Sequence, residues 1–333
     1  MSVQPTGTQE SLTLQLAPDG SGWVQDAAGL YRVSDSGAIW TRVIKEPSGN
    51  PVFFSRRSAE EVSFPSTVMR TNDGGRTWYK TPAGKPVTEG DVSSVTSSWA
   101  YSYVPVNQLL FPYGQLYRTE TGGAQWVLVN GRMPNVHGTQ VMSFADTDHG
   151  ALLLTELHGG VPNGHNALYV TANGGATWQE PSSPGLPSGS APLGLYLFAG
   201  GGGVLMMSSL PGGGRSQPVT SLTVYRTHDY GRHWAPGTPI QFDCGSCIQR
   251  LSDSTIVTLQ SNAPNYETVN AGRTWSTLPV SLETAVTNGP VYFLHAESAI
   301  AYHIIQWSPP VVTVSWSSNA GASWSSPRSV LIQ

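Results

Sequence analysis

One short stretch of the chain combines two carboxylates with an imidazole, the side-chain types that carry out general acid–base catalysis. Asp146 and Asp148 stand one residue apart, and His149 follows directly. The parallel positions elsewhere hold Asp19, followed by Gly, and Asp253, followed by Ser. Asp beside such residues is typical of a tight turn, because its short side chain accepts hydrogen bonds from nearby backbone amides. We therefore interpret Asp146 and Asp148 as turn residues, and the sequence predicts no catalytic residue.

The two cysteines, Cys244 and Cys247, have the spacing of redox and metal-binding motifs. A thioredoxin-like motif needs a βαβ context, and no such pattern surrounds these residues. A zinc site needs two further ligands, and only Asp243 or a distant histidine is available. A short disulfide is the interpretation we favour, with two free thiols or a metal site as alternatives. The sequence therefore predicts no cofactor and no metal ion.

Five side chains are candidates for binding a ligand or partner because they stand on segments rich in Gly, Pro and Ser. His158 and His165 flank a Gly-rich stretch, where solvent exposure is the plain interpretation and metal binding the alternative. Arg215 and Asp243 lie on two further segments of this kind. Trp307 precedes Ser-Pro-Pro, and an exposed indole there could stack on a sugar ring or anchor a protein segment. Packing within its own loop is the alternative for Trp307.

The composition places these residues in a chain rich in turns and strands. The 333 residues include 37 Gly, 25 Pro and 11 Trp, with only 11% charged residues and a net charge of −4. Low charge with many aromatic residues excludes a disordered chain. A near-neutral balance argues against nucleic acid as a partner, since nucleic acid selects clustered Lys and Arg.

No stretch has the length of a membrane-spanning helix, so the sequence predicts no membrane insertion. The best candidate, residues 193–207, is interrupted by the four consecutive glycines at 200–203 and is shorter than the ~20 apolar residues that a span needs. The first ten residues lack the basic start and apolar run of a signal peptide. A Ser-, Thr- and Gly-rich composition with few lysines favours an extracytoplasmic location (secreted, periplasmic or cell-surface), reached by a signal absent from this sequence. A cytoplasmic location is the alternative.

One eight-residue pattern of the form Ser/Thr-x-Asp/Asn-x-Gly-x-x-Trp recurs through the whole chain, and we call it the repeat motif. Its occurrences are Val33–Trp40, Thr71–Trp78, Thr119–Trp126, Thr171–Trp178, Thr227–Trp234, Thr268–Trp275 and Ser317–Trp324. The successive tryptophans are 38 to 56 residues apart. This period suits one four-stranded propeller blade per repeat.

The residue types of the repeat motif predict a tight turn that joins two strands. Asp or Asn bonds its own backbone two residues on, Gly supplies a positive φ, and Trp buries a large ring as the returning strand begins. We expect these residues to be structural: Asp35, Trp40, Asp73, Trp78, Thr121, Trp126, Asn173, Trp178, Asp229, Trp234, Asn270, Trp275, Asn319 and Trp324.

The repeat motif resembles the Asp-box, or BNR repeat, of sialidase-like β-propellers. The segments Met69–Trp78 and Tyr225–Thr227 are most similar to the seven-bladed photosystem II assembly and stability factor group. Thr121 departs from the pattern because it replaces the acid, and Val33 because it replaces the leading hydroxyl residue. The resemblance implies an all-β fold with four antiparallel strands per blade and the motif at the turn between strands three and four.

The resulting prediction is one domain, residues 1–333, folded as a seven-bladed β-propeller. The blades are expected at approximately 11–44, 50–80, 91–129, 139–179, 192–236, 246–278 and 290–333. In the first blade the second and third strands are expected at Gly22–Gln25 and Gly29–Val33. The closing segment, residues 329–333, has two alternatives: it extends the outer strand of the seventh blade, or it pairs with the first blade. In this fold the loops between strands two and three lie opposite the motif turns. Their long insertions, which include the loops expected at residues 155–166 and 306–310, make that face the expected functional one.

Sialidases use three arginines to grip the substrate carboxylate, and this chain departs from that pattern. The family's early Arg-Ile-Pro segment is missing, and Arg32, Arg70, Arg118 and Arg226 instead hold equivalent positions before the repeat motif. A glycosidase also needs two carboxylates roughly 5–10 Å apart. The acids expected on the functional face are scattered over different blades, at Glu89, Asp91, Glu156, Glu180, Asp243 and Glu283.

These observations predict a non-catalytic scaffold that binds a protein or another ligand through the face opposite the motif turns. The expected partner is a protein or a glycan, and the expected state is a monomer. One alternative is a glycoside hydrolase, either sialidase-like or xyloglucan-degrading. The other is a lectin-like propeller that binds carbohydrate.

Overall fold

The structure, a computed structural model, describes most of the chain. The residues outside the description are 1–12, 18, 27–28, 46–50, 54–58, 64–66, 72, 82–90, 97, 105–112, 123–124, 135–137, 159–160, 210–220, 243–247, 261–263, 281–290 and 308–309. All regular structure in the described residues is β-strand. The all-β prediction is therefore confirmed for that part of the chain.

The strands are short and follow one another closely along the chain. The first eight are β1 (Thr13–Leu16), β2 (Gly22–Gln25), β3 (Gly29–Ser34), β4 (Ile39–Lys45), β5 (Pro51–Phe53), β6 (Ala59–Ser63), β7 (Thr67–Thr71) and β8 (Tyr79–Thr81). The next seven are β9 (Asp91–Ser94), β10 (Ala100–Val104), β11 (Gly114–Thr119), β12 (Val127–Met133), β13 (Gly138–Phe144), β14 (His149–His158) and β15 (Val161–Ala172).

The remaining strands continue the same pattern to the end of the chain. They are β16 (Ser190–Leu197), β17 (Gly203–Ser209), β18 (Ser221–Thr227), β19 (Ala235–Pro236), β20 (Ile240–Gln241), β21 (Ile248–Arg250), β22 (Ile256–Thr258), β23 (Tyr266–Thr268), β24 (Ser276–Thr277), β25 (Val291–His295), β26 (Ser298–Trp307), β27 (Pro310–Ser317), β28 (Arg328–Ser329) and β29 (Leu331–Ile332).

The described strands form seven small sheets, which we number in chain order. Sheet 1 is β1–β4 with β29, sheet 2 is β5–β8, sheet 3 is β9–β12, and sheet 4 is β13–β15. Sheet 5 is β16–β20, sheet 6 is β21–β24, and sheet 7 is β25–β28. Within each sheet the first three strands pair antiparallel in sequence order, so the turn after strand two lies at the opposite end from the turns after strands one and three.

The chain groups into two compact units. One comprises Met1–Lys80 with Val280–Gln333 and contains sheets 1, 2 and 7. The other, Thr81–Pro279, contains sheets 3 to 6. In the second unit the run Ala151–Leu154 is fully buried, and its alternate residues pack into two different clusters. Both faces of that strand are therefore covered, as its unbroken apolar sequence predicts.

The repeat motif lies between the third strand of each sheet and the chain that returns beside it. In sheet 2 the Thr71 hydroxyl donates to Asp73 Oδ1 (2.9 Å) and accepts from the Gly75 amide (2.8 Å). Asp73 Oδ1 also accepts from the Thr77 amide at 3.0 Å. The same three bonds recur in the motifs of sheets 4 to 7, led by Thr171, Thr227, Thr268 and Ser317.

Two consecutive positions of the motif turn adopt positive φ. The glycine at the fifth position of the motif does so, as predicted; Gly75, for example, has a φ of 81°. The residue before it does so too, including the non-glycine residues Tyr230, Ala271 and Ala320 at 54–59°. A Cβ added at Gly75 would lie 2.8 Å from Val43 Cγ1 of sheet 1, so space as well as φ requires glycine there.

The two motifs that depart from the pattern form altered turns. Thr121 accepts from the Gln125 amide at 2.9 Å, and its hydroxyl lies 3.3 Å from that of Thr119. In the first motif, which begins with Val33, positive φ spreads over Asp35, Ser36 and Gly37. Asp35 there reaches Arg328 at 3.4 Å instead of a hydroxyl at the start of the motif.

The motif tryptophans are less uniformly buried than predicted. Trp40 is fully buried against Tyr31 and Tyr302, and Trp234 is 5% exposed. The tryptophans of the other five motifs are half-buried. Those of sheets 4 and 5 donate their indole N–H to a carbonyl of their own turn.

The last residues of the chain join sheet 7 to sheet 1. β28 pairs with β27 as the fourth strand of sheet 7, and β29 adds to β4 as a parallel fifth strand of sheet 1. Three backbone bonds of 2.8–2.9 Å fix β29 against residues 38–42. Both predicted alternatives for residues 329–333 are therefore realised together.

Candidate functional site

Two hairpins extend further than the other connections between second and third strands in the described residues. β14 of sheet 4 and β26 of sheet 7 are each ten residues long, whereas the other second strands have three to seven residues. The pairing register shifts near the end of each hairpin, at Glu156 in sheet 4 and at Ile305 in sheet 7. Such bulges bend a strand and redirect a side chain, and they are common beside functional sites.

The end of the sheet 7 hairpin presents aliphatic side chains to solvent. Ile305, the residue skipped by the register shift, is 61% exposed, and Val311 on the facing strand is 44% exposed. Trp307 pairs through its backbone with Pro310, so the strands continue to the last two residues of the connection. The prediction of a loop over residues 306–310 was therefore wrong, because cross-strand pairing overrides the local turn signal of Pro and Ser.

The sheet 4 hairpin likewise replaces much of a predicted loop, residues 155–166. His158 pairs with Val161 at the hairpin end, and His165 lies within β15. The histidines thus stand on the two facing strands of one hairpin, and the side chains of both lie outside the description. Arg215, Asp243, Cys244 and Cys247 fall wholly outside the described residues, so their roles stay predictions.

The predicted turn role of Asp146 is confirmed. Its Oδ1 atom accepts hydrogen bonds from the amides of Asp148 (2.8 Å) and His149 (2.7 Å), and the His149 ring lies 3.0 Å away. Burial opposes ionisation, but these bonds outweigh it and hold the pKa of Asp146 below its ordinary value. His149 stacks on Tyr230 of the neighbouring motif at 3.9 Å, so the cluster links sheets 4 and 5.

Two of the arginines before the repeat motif, Arg118 and Arg226, contact neighbouring residues of the architecture. Arg118 lies 5.1 Å from the centre of the Trp99 ring and pairs with Glu120 at 2.8 Å. Arg226 donates to the carbonyls of Ala271 and Pro236, which joins sheet 5 to the motif of sheet 6. Burial and the charge of Arg273 lower the pKa of Arg226.

Of the six acids predicted on the functional face, Glu156 and Glu180 have described side chains. Glu156 marks the bulge of the sheet 4 hairpin, and Glu180 follows the motif of the same sheet. No group of three metal-binding side chains occurs among the described residues. That same part of the chain contains no helix with the length and hydropathy of a membrane span.

Sequence reasoning missed Ile305 and Val311, whose exposure follows from the bulge and the length of the hairpin. The sequence offers one indication of these two residues. They flank Trp307 and two prolines, and neither Ile nor Val is a residue type that forms turns.

No family model matches the chain, and no curated protein matches it significantly. Among solved structures it is similar to a GH74 xyloglucanase from Xanthomonas campestris, with 12% identity and a TM-score of 0.58, covering 95% of this chain and 53% of that one. The chain thus spans about half of the xyloglucanase. YCF48 from Cyanidioschyzon merolae is 14% identical with a TM-score of 0.50, covering 89% and 94%.

An oligogalacturonate lyase from Vibrio parahaemolyticus is also similar, at 8% identity and a TM-score of 0.53, covering 90% of this chain and 89% of that one. Identities this low show the fold and not the function. The likeness to these structures supports a β-propeller type of architecture for the chain.

Proposed function

We propose that the chain is a seven-bladed Asp-box propeller that acts as a non-catalytic protein-binding scaffold. Its binding surface is the end of the sheet 7 hairpin, where Ile305 and Val311 are exposed, at the opposite end of the sheet from the motif turn. The side chain of Trp307 lies outside the description, so its part in this surface stays a prediction. The observation that carries the proposal is the exposure of Ile305 and Val311 beside a bulge. An extracytoplasmic location is part of the same proposal.

The chemistry of this surface favours a protein partner over a sugar. Burying a Val or Ile side chain contributes about 1.5–3 kcal/mol, and a protein segment can cover both together. A glycan is recognised mainly through polar groups and one stacked aromatic ring. Ile305 and Val311 supply neither polar groups nor an aromatic ring, so they favour contact with an apolar surface of a protein.

Site-specific crosslinking tests the proposal. A photoreactive phenylalanine analogue at position 305 is expected to crosslink one protein of defined mass in an extract of the source cells. The same analogue at position 269 is the control, because Val269 is 62% exposed but lies in a motif turn. Equal capture at both positions, or capture of nothing at 305, would contradict the proposal.

A substitution then tests the contribution of the two aliphatic side chains. Replacing Ile305 and Val311 together by Ser is expected to weaken binding of the purified partner at least about tenfold. The unfolding midpoint should stay unchanged, because both side chains are exposed. An unchanged affinity would show that the aliphatic pair is not the binding surface.

A glycoside hydrolase is the alternative that one described residue favours. Glu156 places a carboxylate at the bulge of the sheet 4 hairpin, on the expected functional face. A panel of fluorogenic sialosides and xyloglucan oligosaccharides is expected to show no turnover. Turnover that disappears in Glu156→Gln would establish the enzyme instead.

A glycan array separates the lectin-like alternative. The native chain is expected to give no signal above background. A signal that is lost on Trp307→Ala would support carbohydrate binding at the hairpin end and overturn the protein-binding proposal.

A further inference from the structure

An open cavity of about 190 Å³ lies at the motif end of sheet 4, away from the hairpin end. It is lined by Val170, Ala172, Asn173, Thr177 and Gln179 of sheet 4 and by Arg232 of the sheet 5 motif. This volume is below the ~300 Å³ at which pockets for drug-sized ligands begin, so the cavity fits one sugar ring or a smaller molecule.

A small side chain contributes to this space. Ala172 occupies the second position of its repeat motif, and the other six motifs hold larger residues there, including Glu120, His228 and Val269. The returning chain of sheet 4 is also reduced to one bridge between Val170 and Gln179. Val170 and Ala172 therefore form the apolar part of the lining, and the other lining residues form a polar rim.

The polar rim offers more hydrogen-bond donors than acceptors. Asn173 Oδ1 already accepts from Thr171 and from the Thr177 amide, and Asn173 Nδ2 donates to Thr177 Oγ1 at 2.8 Å. One amide hydrogen of Asn173 and the hydroxyl hydrogen of Thr177 have no acceptor among the described residues. The guanidinium of Arg232 likewise has no carboxylate partner in that part of the chain.

The positive charge of Arg232 and the hydrogen-bond donors of the polar rim together indicate the class of ligand. A guanidinium and an amide N–H bind carboxylate oxygens well, and hydroxyl groups suit the remaining polar rim, including the Gln179 amide. We propose that this cavity binds a sugar acid, with its carboxylate on Arg232 and its hydroxyl groups on Asn173, Thr177 and Gln179. This site is independent of the hairpin surface and goes beyond the proposed function.

The sister motifs supply substitutions that the fold already accommodates. Alanine stands at the position of Arg232 in four other motifs, at Ala38, Ala124, Ala176 and Ala322. Aspartate stands at the position of Asn173 in sheets 2 and 5, and histidine stands at the position of Ala172 in sheet 5. Arg232→Ala, Asn173→Asp and Ala172→His therefore remove the cation, add a repelling charge and fill the cavity, respectively.

The experiment is a titration with sodium glucuronate at constant ionic strength, followed by saturation-transfer NMR on the ligand. Saturable binding is expected, weakened about tenfold or more by each of the three variants. Arg273→Ala is the matched control, because Arg273 holds the same motif position in sheet 6 and does not line the cavity. It should bind like the native chain, and unfolding midpoints verify that every variant is folded.

Two comparison ligands make the result decisive. Glucose is expected to bind far more weakly than glucuronate, and so is glutarate, which has carboxylates but no hydroxyl groups. Equal binding of glucose would overturn the role of Arg232, and equal binding of glutarate would overturn the sugar. Absence of saturable glucuronate binding, or equal loss in Arg273→Ala, would overturn the site itself.

Discussion

At the scale of single residues, the leading hydroxyl of the repeat motif connects three chain positions. Thr227 is buried, donates to Asp229 Oδ1 at 2.8 Å and accepts from the Gly231 amide at 3.0 Å. A buried amide that loses its acceptor costs about 1–3 kcal/mol. Loss of this hydroxyl is therefore expected to lower the free energy of unfolding.

Thr227→Val keeps the shape of the side chain and removes all the hydrogen bonds of the hydroxyl. We expect it to lower the free energy of unfolding by about 1–3 kcal/mol, measured by urea denaturation. Thr119→Val is the matched control, because Thr121 replaces the acid in that motif and its hydroxyl contact is 3.3 Å. An equal loss in the two variants would show that the acid adds nothing to the turn.

The acid of the motif also predicts a pH dependence. Hydrogen bonds from the Thr77 side chain and amide lower the pKa of Asp73 to about 2, against an ordinary value of 3.8. A carboxyl with a lowered pKa in the folded state stabilises the fold above its unfolded pKa. That stabilisation disappears as the pH falls from about 4 towards 2.

Asp73→Asn tests this pH dependence. Asn173, Asn270 and Asn319 fill the same position in sister motifs, where the amide donates to a Thr or Ser hydroxyl at 2.8–2.9 Å. The variant should fold normally at neutral pH and lose less stability than the native chain between pH 4 and 2. Parallel stability curves over that range would contradict the assignment.

At the scale of elements, the C-terminal strand β29 completes sheet 1. Its bonds run from the Leu331 amide to Ala38, from the Gln333 amide to Trp40, and from the Arg42 amide to Gln333. Leu331 is itself 52% exposed, whereas Ile332 is partly buried and packs against the core cluster that contains Trp40 and Val314. The contribution of β29 therefore comes from backbone pairing and from this apolar contact.

Deleting residues 331–333 should therefore destabilise the fold. Three backbone bonds at roughly 0.5–1.5 kcal/mol each predict a loss of about 1.5–4.5 kcal/mol in the free energy of unfolding, to which the lost contact of Ile332 adds. Leu331→Thr is the control, since it keeps the backbone and changes an exposed side chain, and it should be nearly neutral. A deletion as harmless as this substitution would mean that the parallel pairing does not stabilise sheet 1.

Strand positions could be predicted from the sequence where the hydrophobic pattern agrees with the observed pairing of the strands. The expected strand at Gly22–Gln25 has the observed bounds, and the one at Gly29–Val33 ends one residue early. The hairpin ends could not be predicted, because Gly near His158 and Pro near Trp307 signal a turn several residues too soon. Their extent depends on pairing between strands, which local composition does not report.

The candidate binding surfaces show the same limit. Trp307 is a candidate from its type and neighbours and stays a prediction, whereas Ile305 needed the register of β26 against β27. The cavity beside Arg232 could not be predicted at all, because it joins the motifs of two different sheets. A site formed by residues of separate repeats can be recognised only when the packing of those repeats is known.

At the scale of the whole molecule, we propose that the protein partner binds at the ends of the sheets opposite the motif turns. The motif turns use their polar side chains on their own backbone, and Arg226 and Asn130 add bonds to the motif of the next sheet. The opposite ends of the sheets carry the extended hairpins of sheets 4 and 7. We therefore expect partner binding to be sensitive to the hairpin ends and insensitive to exposed motif residues.

Hydrogen–deuterium exchange of the chain with its crosslinked partner tests this division most directly. Peptides covering residues 304–312 should become protected on binding, while peptides covering the motif turns keep their exchange rates. Protection confined to the motif turns, with residues 304–312 unchanged, would contradict the central claim that the repeats build the scaffold and the hairpin end binds.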